Sequence, residues 1–176
     1  MRGKRVVAAV CLPILAGAMP AHAAAVPAGF HQLTMTDLRA SIAYPAGWRP
    51  VWTKGHEFFY GPQANRFTTN VNIYFVSHPQ PASLADFGRM IKTADAKTGA
   101  TIGHTLQITV GGIPALSIRG RLSQTLQGRV VRDRFTIAAF LVRDQGWQIT
   151  LSASPGTYWA NMKLFRTMLH SFALTS

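Results

Sequence analysis

The clearest pattern of apolar and polar positions lies near the end of the chain, where a strand-like run leads into a helix. Residues 147–153 are mostly apolar, and the apolar positions after residue 157 recur at steps of three and four. Those positions are Tyr158, Met162, Phe165, Leu169 and Phe172. They share one stripe of an α-helix, while Ser154 suits the N-cap and Pro155 the first helical position. The pattern predicts a strand over residues 147–153 and a long helix beginning at Pro155.

Alternation of apolar and polar residues predicts the strands in the first half of the chain. Over residues 70–76, Val71, Ile73 and Phe75 are apolar and alternate with Asn70, Asn72 and Tyr74. This period of two is typical of a strand with one buried face. Strand-like stretches also lie at residues 31–36, 40–44 and 57–60.

The second half of the chain predicts one helix followed almost entirely by strands. Ser83 and Asp86 form a capping-box-like start, since both a serine N-cap and a carboxylate three residues later favour a helix N-terminus. Gly99 is placed to end this helix. Residues 105–153 are strand-like, with hairpin turns predicted at residues 111–112, 124–128 and 144–146. The whole pattern predicts a strand-rich middle enclosed by two helices.

The first 23 residues have the order of a secretory signal peptide. Basic residues at positions 2, 4 and 5 precede an apolar run from Val6 to Met19, and the sequence Ala-His-Ala ends at Ala23. The apolar run is shorter than the roughly 20 residues of a membrane span, and no second such run follows it. We expect cleavage after Ala23, a disordered leader over residues 24–29, and a single periplasmic or secreted domain over residues 30–176 without a transmembrane segment.

The net positive charge of the chain indicates which classes of partner to expect. The chain carries 18 Lys and Arg against 6 Asp and Glu, a formal net charge of +12. Signal removal would leave 15 of those basic residues and a net charge of +9, which attracts anionic polymers and membrane surfaces. Nucleic acid does not suit an exported protein, so an envelope protein or an anionic lipid or polysaccharide surface is the expected partner. The alternative is that the charge serves solubility alone.

Catalytic and metal-binding residue patterns are sparse. The single cysteine, Cys11, lies in the signal segment, so the exported domain has neither a disulfide nor a thiol nucleophile. The chain has no Gly-x-Ser-x-Gly elbow, no His-Glu-x-x-His motif and no glycine-rich phosphate loop. Its histidines lack the short spacings of a metal site. We therefore expect a protein that is not an enzyme, with no cofactor and no metal.

Short structural motifs occur in a recognisable order along the chain. Ile-Ala-Tyr-Pro-Ala-Gly-Trp occupies residues 42–48, Thr-Asn-Val-Asn-Ile residues 69–73 and Val-Gly-Gly-Ile-Pro-Ala residues 110–115, and the last helix closes on Ser171 and Phe172. This order resembles the PsbP-like superfamily, which includes DcrB-like bacterial envelope proteins, over about residues 33–173. The resemblance implies an α/β/α sandwich, with an antiparallel sheet of about six or more strands and helices on both faces. It also implies a binding, assembly or accessory role without catalytic residues.

The most informative polar feature is a predicted hairpin over residues 113–140. Arg119 and Arg121 share one face of its first strand, because apolar residues at 116, 118 and 122 occupy the other, and Arg132 and Arg134 share a face of the returning strand. A turn centred between residues 125 and 126 would place Arg119 opposite Arg132, at a cost of a few tenths to ~1 kcal/mol. That cost suggests an anionic partner for these four arginines, unless Asp133, Asp144 or salt screens them.

An aromatic-rich segment, residues 44–60, is the second candidate site. Trp48, Trp52 and Tyr60 are the residues that would line a cleft for a hydrophobic or carbohydrate ligand. The alternative is that these side chains belong to the core.

The sequence therefore predicts an exported, monomeric, non-enzymatic binding or accessory protein of the envelope, which recognises an anionic partner or surface through the basic face of a β-hairpin. The alternative function is a carrier of a small ligand or metal that uses the aromatic-lined cleft.

Overall fold

The computed structural model describes residues 25–53, 56–64, 67–76, 81–126, 128–143 and 145–175. Within these ranges the chain forms ten β-strands and two α-helices. The strands are β1 (Phe30–Met35), β2 (Ala40–Pro45), β3 (Arg49–Thr53), β4 (His56–Ala64), β5 (Phe67–Val76), β6 (Thr101–Val110), β7 (Ile113–Leu126), β8 (Arg129–Val142), β9 (Gln145–Ala153) and β10 (Ala173–Leu174). The helices are α1 (Leu84–Lys97) and α2 (Tyr158–Ser171). The predicted α+β class is confirmed.

Two predictions about the N-terminus stay predictions. The signal peptide over residues 1–23 lies outside the described residues. Of the leader, residues 25–29 form no helix or strand, although Gly29 accepts a hydrogen bond from the Ala46 N–H at 2.9 Å.

The strands form two antiparallel sheets. The larger sheet has seven strands in the order β3-β4-β5-β9-β8-β7-β6, and the smaller has three in the order β1-β2-β10. The larger sheet matches the antiparallel sheet of about six or more strands that the resemblance implied. The smaller sheet was not predicted: in it β2 pairs with the end of the chain, where Ala173 lies opposite Ser41 and Leu174 opposite Ala40. A two-residue strand such as β10 is too short to carry a hydrophobic period, so the sequence pattern does not show it.

The centre of the larger sheet is the most buried part of the molecule. β8 is buried continuously from Phe135 to Phe140, and β9 is buried from Gly146 to Ile149. The apolar stripe predicted for the last helix is buried along its whole length. Its members pack with Ala138 and Phe140 of β8.

α1 forms as its sequence predicts. The Ser83 Oγ accepts a hydrogen bond from the Asp86 N–H at 3.1 Å, and Gly99 follows the helix with φ +85°. Phe87 and Ile91 are buried and belong to a cluster that contains Phe135, Ile137 and Ala139 of β8. α1 and α2 therefore contact alternate residues of the same strand.

α2 begins three residues later than predicted. Its first residue is Tyr158 and its N-cap is Thr157, in place of Pro155 and Ser154. The Ser154 carbonyl accepts hydrogen bonds from the N–H groups of Thr157 and Tyr158, at 3.1 and 3.0 Å, so residues 155–157 form a separate turn. This turn sets the position of the first residues of α2 beside β7 and β8.

The turn between β6 and β7 is hydrogen-bonded to the end of α2. Gly111 and Gly112 have φ +53° and +82°, which confirms the predicted glycine turn. The Gly111 N–H donates to the Leu169 carbonyl at 2.9 Å. A Cβ on Gly111 would collide with the carbonyl oxygen of Phe172, whereas Gly112 has open space around it.

Candidate functional site

The β7–β8 hairpin pairs in a different register from the predicted one. Arg119 lies opposite Thr136 and not opposite Arg132, so that part of the prediction is wrong. Arg121 lies directly opposite Arg134. A like-charge pair does exist across the two strands, but it joins different residues.

The difference in register comes from the position of the turn. Leu126 pairs with Arg129, which centres the turn between residues 127 and 128. Gly128 has φ +73°, a left-handed conformation that glycine adopts without strain. The sequence offered several turn residues between 124 and 128, and polarity alone did not show which of them the chain uses.

All four arginines nevertheless share one face of the hairpin. Because side chains alternate along a strand, residues directly opposite one another across β7 and β8 point to the same side. Arg119 and Arg121 on β7 therefore lie on the same side as Arg132 and Arg134 on β8. We call these four side chains the basic face. Arg121, Arg132 and Arg134 are exposed and Arg119 is half-buried.

The hairpin extends beyond the strands next to it. β6 starts to pair with β7 at Thr101, opposite Arg121, and β9 ends its pairing with β8 at Ala153, opposite Arg134. Residues 122–126 and 129–133, which we call the hairpin arm, therefore pair only with each other. The basic face runs from the sheet onto this arm.

The nearest carboxylate in sequence does not lie on the basic face. Asp133 is opposite Leu122 and so points to the other side of the hairpin. Burial raises the pKa of Asp133, and hydrogen bonds from the N–H groups of Leu122 and Asp133 itself act in the opposite direction. In the part of the chain that the structure describes, none of the four arginines forms an ion pair. Asp144, the other carboxylate considered, lies outside that part.

The start of α2 adds an aromatic residue to the basic face. The Tyr158 hydroxyl is hydrogen-bonded to Thr136 Oγ1, next to Arg119 across the hairpin. The following residue, Trp159, has its ring centroid 5.7 Å from the Arg119 guanidinium carbon. This separation is within the range of a cation–π interaction. The Nε of Arg119 is buried without a hydrogen-bond partner among the described residues.

A groove of about 330 Å³ lies at this place. It is lined by Arg119, Arg121, Arg134, His104, Tyr158 and Trp159, together with Thr101 and two glycines. His104 reaches it from an irregular stretch of β6, where the pairing shifts between Ile102 and Thr105. The arrangement combines guanidinium groups with an aromatic wall and so suits an anion that carries apolar surface.

Sequence reasoning missed Trp159. Its position lies outside the apolar stripe of α2, and it is 58% exposed. The sequence did contain a signal for this residue: a large aromatic side chain lies outside the apolar stripe, directly after the first member of the stripe.

The three aromatic residues proposed for a cleft do not come together. Trp48 is a buried core residue, 6% exposed, whose ring packs against Gly61. Trp52 pairs with Glu57 and points to the side of the β3–β4 hairpin opposite to Tyr60, which pairs with Arg49. The shared cleft is therefore wrong, because Trp48 is buried in the core and strand alternation places Trp52 and Tyr60 on opposite sides.

Trp52 does line a groove of its own. This groove, of about 440 Å³, is formed by residues 33–37 with Pro50, Trp52 and Glu57. Glu57 is 4% exposed, and burial raises the pKa of its carboxyl group.

The described residues contain neither a metal-binding cluster nor a membrane-spanning helix. No group of three or more His, Cys, Asp or Glu side chains there is arranged to hold a metal ion. The helices of the same residues are too short or too polar to cross a membrane. His78, one of the scattered histidines, lies outside the described part of the chain.

Neither a protein-family profile nor a curated protein matches this sequence. Solved structures match its fold. The solution structure of cyanobacterial PsbP (CyanoP) from Synechocystis sp. PCC 6803 gives a TM-score of 0.57 at 19% identity, covering 86% of this chain and 95% of that one. LpqN, involved in cell envelope biogenesis of Mycobacterium tuberculosis, gives 0.54 at 11% identity over 84% and 92% of the two chains.

A third match shows the same fold inside a longer chain. A protein from Bacteroides thetaiotaomicron VPI-5482 gives a TM-score of 0.57 at 11% identity, and the match covers 84% of this chain. This chain spans about half of that protein, since the match covers 49% of its length. Its own strands and helices make the chain an α+β protein of two antiparallel sheets and two helices. More particularly, the chain has the PsbP-like fold, as the order of its sequence motifs implied.

Proposed function

We propose that this chain is an exported, non-enzymatic binding or accessory protein of the cell envelope, which acts as a monomer and recognises an anionic partner through its basic face. The observation that carries the proposal is the direct opposition of Arg121 and Arg134 on an exposed hairpin. Arg132 extends the same row of charge onto the hairpin arm.

The repulsion between Arg121 and Arg134 favours the binding of an anion between them. Like charges directly opposed across two strands cost a few tenths to about 1 kcal/mol when nothing lies between them. A phosphate, sulfate or carboxylate group bound at this place would relieve the repulsion, and guanidinium groups bind such groups with paired hydrogen bonds. The repulsion between the arginines therefore destabilises the free protein, and its relief by a bound anion stabilises the complex.

The comparisons support the compartment and the accessory role. LpqN is described as involved in cell envelope biogenesis, and CyanoP is a PsbP protein. The signal-like order of residues 1–23 supports export.

We also infer an α/β/α layering for the larger sheet, supported by the alternate residues of β8 that α1 and α2 contact.

Affinity capture from the envelope fraction tests the basic face. The variant reverses the three exposed arginines: Arg121→Glu, Arg132→Glu and Arg134→Glu. Arg119 is kept, because it is half-buried against Trp159 and its reversal would disturb the fold. We expect the unaltered protein to capture a partner at low salt, and both high salt and the variant to abolish the capture.

A charge-matched control separates recognition from net charge. It carries Lys92→Glu and Lys97→Glu on α1 and Arg143→Glu after the far end of β8, and it leaves the ion pair of Arg89 with Asp86 intact. Its net charge equals that of the hairpin variant, so capture by the control and not by the hairpin variant supports the proposal. Equal capture by the hairpin variant and the unaltered protein would remove it.

A small-ligand carrier is the second candidate, and the groove beside Trp52 is the observation in its favour. A ligand that binds only the folded protein raises its melting temperature. Thermal melts with a set of small sugars and hydrophobic ligands should then show an increase that Trp52→Ala abolishes. The same melts with no ligand-dependent increase would leave this candidate without support.

A further inference from the structure

We propose that the basic face docks on the surface of an anionic lipid bilayer, with the arginines at the lipid phosphates and three apolar side chains entering the headgroup region around them. The inference rests on the proposed function and names the class of its anionic partner. The three apolar side chains are Leu106, Val130 and Trp159.

These three side chains are exposed on the same side of the hairpin as the arginines. Leu106, 48% exposed, lies opposite Ser117 on β7, two residues before Arg119. Val130, 61% exposed, lies opposite Thr125 at the end of the hairpin arm. Directly opposed residues point to the same side and every second residue of a strand does so, which places both beside the basic face.

The third residue lies between these two along the hairpin. Trp159 is 58% exposed and its ring approaches the Arg119 guanidinium. Three of the six large hydrophobic side chains that are exposed in the described part of the chain therefore lie beside the basic face. The other three are Val26, Trp52 and Phe75.

The dimensions suit a surface better than a pocket. The row from Ser117 to Thr125 covers eight residue steps, or roughly 26 Å at about 3.3 Å per residue in a strand. Apolar side chains stand near both ends of this row and the arginines stand between them. The groove of about 330 Å³ at Arg121 and Arg134 opens into the same row and can receive one phosphate headgroup.

Lipid explains the apolar residues, and a soluble polyanion does not. A polysaccharide or polyphosphate would pair with the arginines but would leave Leu106 and Val130 in water. At a bilayer surface, tryptophan favours the headgroup level, and basic side chains near anionic lipid each contribute to binding. A mixture of guanidinium and exposed apolar groups is the combination that such an interface accommodates.

Vesicle binding tests the inference with the chain from residue 24 to residue 176, which contains every described strand and helix. The vesicles are phosphatidylcholine alone, or phosphatidylcholine with phosphatidylglycerol. We expect sedimentation with the anionic vesicles only, and about fivefold weaker binding for each of Arg121→Gln, Arg132→Gln and Arg134→Gln. Trp159→Ala should weaken binding by about tenfold through lost apolar contact.

Tryptophan fluorescence reports insertion directly. Trp48 and Trp147 are buried, so Trp52 and Trp159 are the exposed tryptophans of the described residues. Brominated phosphatidylglycerol should quench Trp159 and leave Trp52 unaffected, because Trp52 lies on β3 at the other edge of the larger sheet. The quenching should persist in Trp52→Phe and be lost in Trp159→Phe.

The outcomes distinguish this inference from the proposed function. Absence of binding to anionic vesicles, with arginine-dependent binding to a soluble polyphosphate or to a captured envelope protein, overturns the lipid inference and leaves the anionic partner intact. Vesicle binding without quenching of Trp159 overturns the insertion of apolar side chains. Failure of the proposed function is read separately, from unchanged envelope capture by the hairpin variant.

Discussion

Gly111 is the residue whose side-chain size the fold restricts most clearly. Its φ is +53°, and the place where a Cβ would stand is occupied by the carbonyl oxygen of Phe172. Gly112 has a comparable φ of +82° but nothing near it. Substitutions at the two glycines therefore distinguish the effect of backbone strain, which both positions share, from the effect of a collision with Phe172, which only Gly111 has.

We expect Gly111→Ala to destabilise the protein by about 3 kcal/mol or more, since the turn must move away from the end of α2. Gly112→Ala should cost only about 1 kcal/mol, the strain of a left-handed backbone. Urea unfolding of both variants measures the difference. Equal losses would contradict the close contact of Gly111 with Phe172.

The buried carboxyl group of Glu57 gives a residue-scale prediction about pH. Burial raises its pKa, so the folded chain keeps the Glu57 proton to a higher pH than the unfolded chain does. Stability should therefore fall as the pH rises from the ordinary carboxyl range, near about pH 4, through the raised pKa of the folded state. Above that pKa the loss is constant.

Glu57→Gln removes this charge and should raise the melting temperature at about pH 7.5, with little change at about pH 3.5. Thermal melts at the two pH values provide the measurement. Asp37→Asn is the control, because Asp37 is an exposed carboxylate at the same groove. An equal effect of Glu57→Gln at both pH values would contradict the burial argument.

At the scale of the element, α1 shows how a local sequence signal sets a boundary. Ser83 caps the helix through the Asp86 N–H, and the Asp86 carboxylate also forms an ion pair with Arg89. The cap replaces one hydrogen bond that the first turn of a helix otherwise lacks. This contact is local, which is why four residues of sequence were enough to predict it.

Ser83→Ala should cost about 1 kcal/mol of stability through loss of the cap. Thr93→Ala, an exposed position in the middle of α1, is the control and should leave stability equal or slightly higher. Chemical unfolding of the two variants is the measurement. If Ser83→Ala unfolds like the unaltered chain, the cap contributes no stability.

Elements with a long periodic pattern were predictable, and those defined by distant pairing were not. The stripe of α2 and the alternation of β5 extend over two or more turns or strand periods, so each carries its own signal. β3 is five residues long and contains Pro50, so it carries too short a pattern of its own. β10 has two residues and pairs with β2, which is remote in sequence.

The candidate site was predictable in composition and not in geometry. Alternation alone placed Arg119 with Arg121 and Arg132 with Arg134, and the structure has these pairs on one face. The register depended on which turn residue takes the left-handed conformation, and Gly128 does so. Trp159 follows the turn at residues 155–157, and its contact with Arg119 is a tertiary contact that the pattern of α2 does not show.

In the whole molecule, the PsbP-like fold holds the basic face away from the core. The fold supplies a hairpin longer than its neighbouring strands, and the arm carries the charge outward from the sheet. A partner can reach the arm without disturbing the core, which is centred on β8, β9 and α2. Binding of the proposed partner to this hairpin would therefore require no change of fold.

Photo-crosslinking from two adjacent positions of the hairpin arm identifies the side of the hairpin that contacts the partner. Ser123 and Gln124 are both exposed and uncharged, and they point to opposite sides of β7, with Ser123 on the side of the basic face. A photoreactive phenylalanine analogue is placed at one position or the other, in chains that keep all four arginines, and each protein is illuminated in the envelope fraction. We expect a salt-sensitive crosslinked product from position 123 and little or none from position 124. Equal crosslinking from both positions, or a product from position 124 alone, would contradict the assignment of the basic face as the recognition surface.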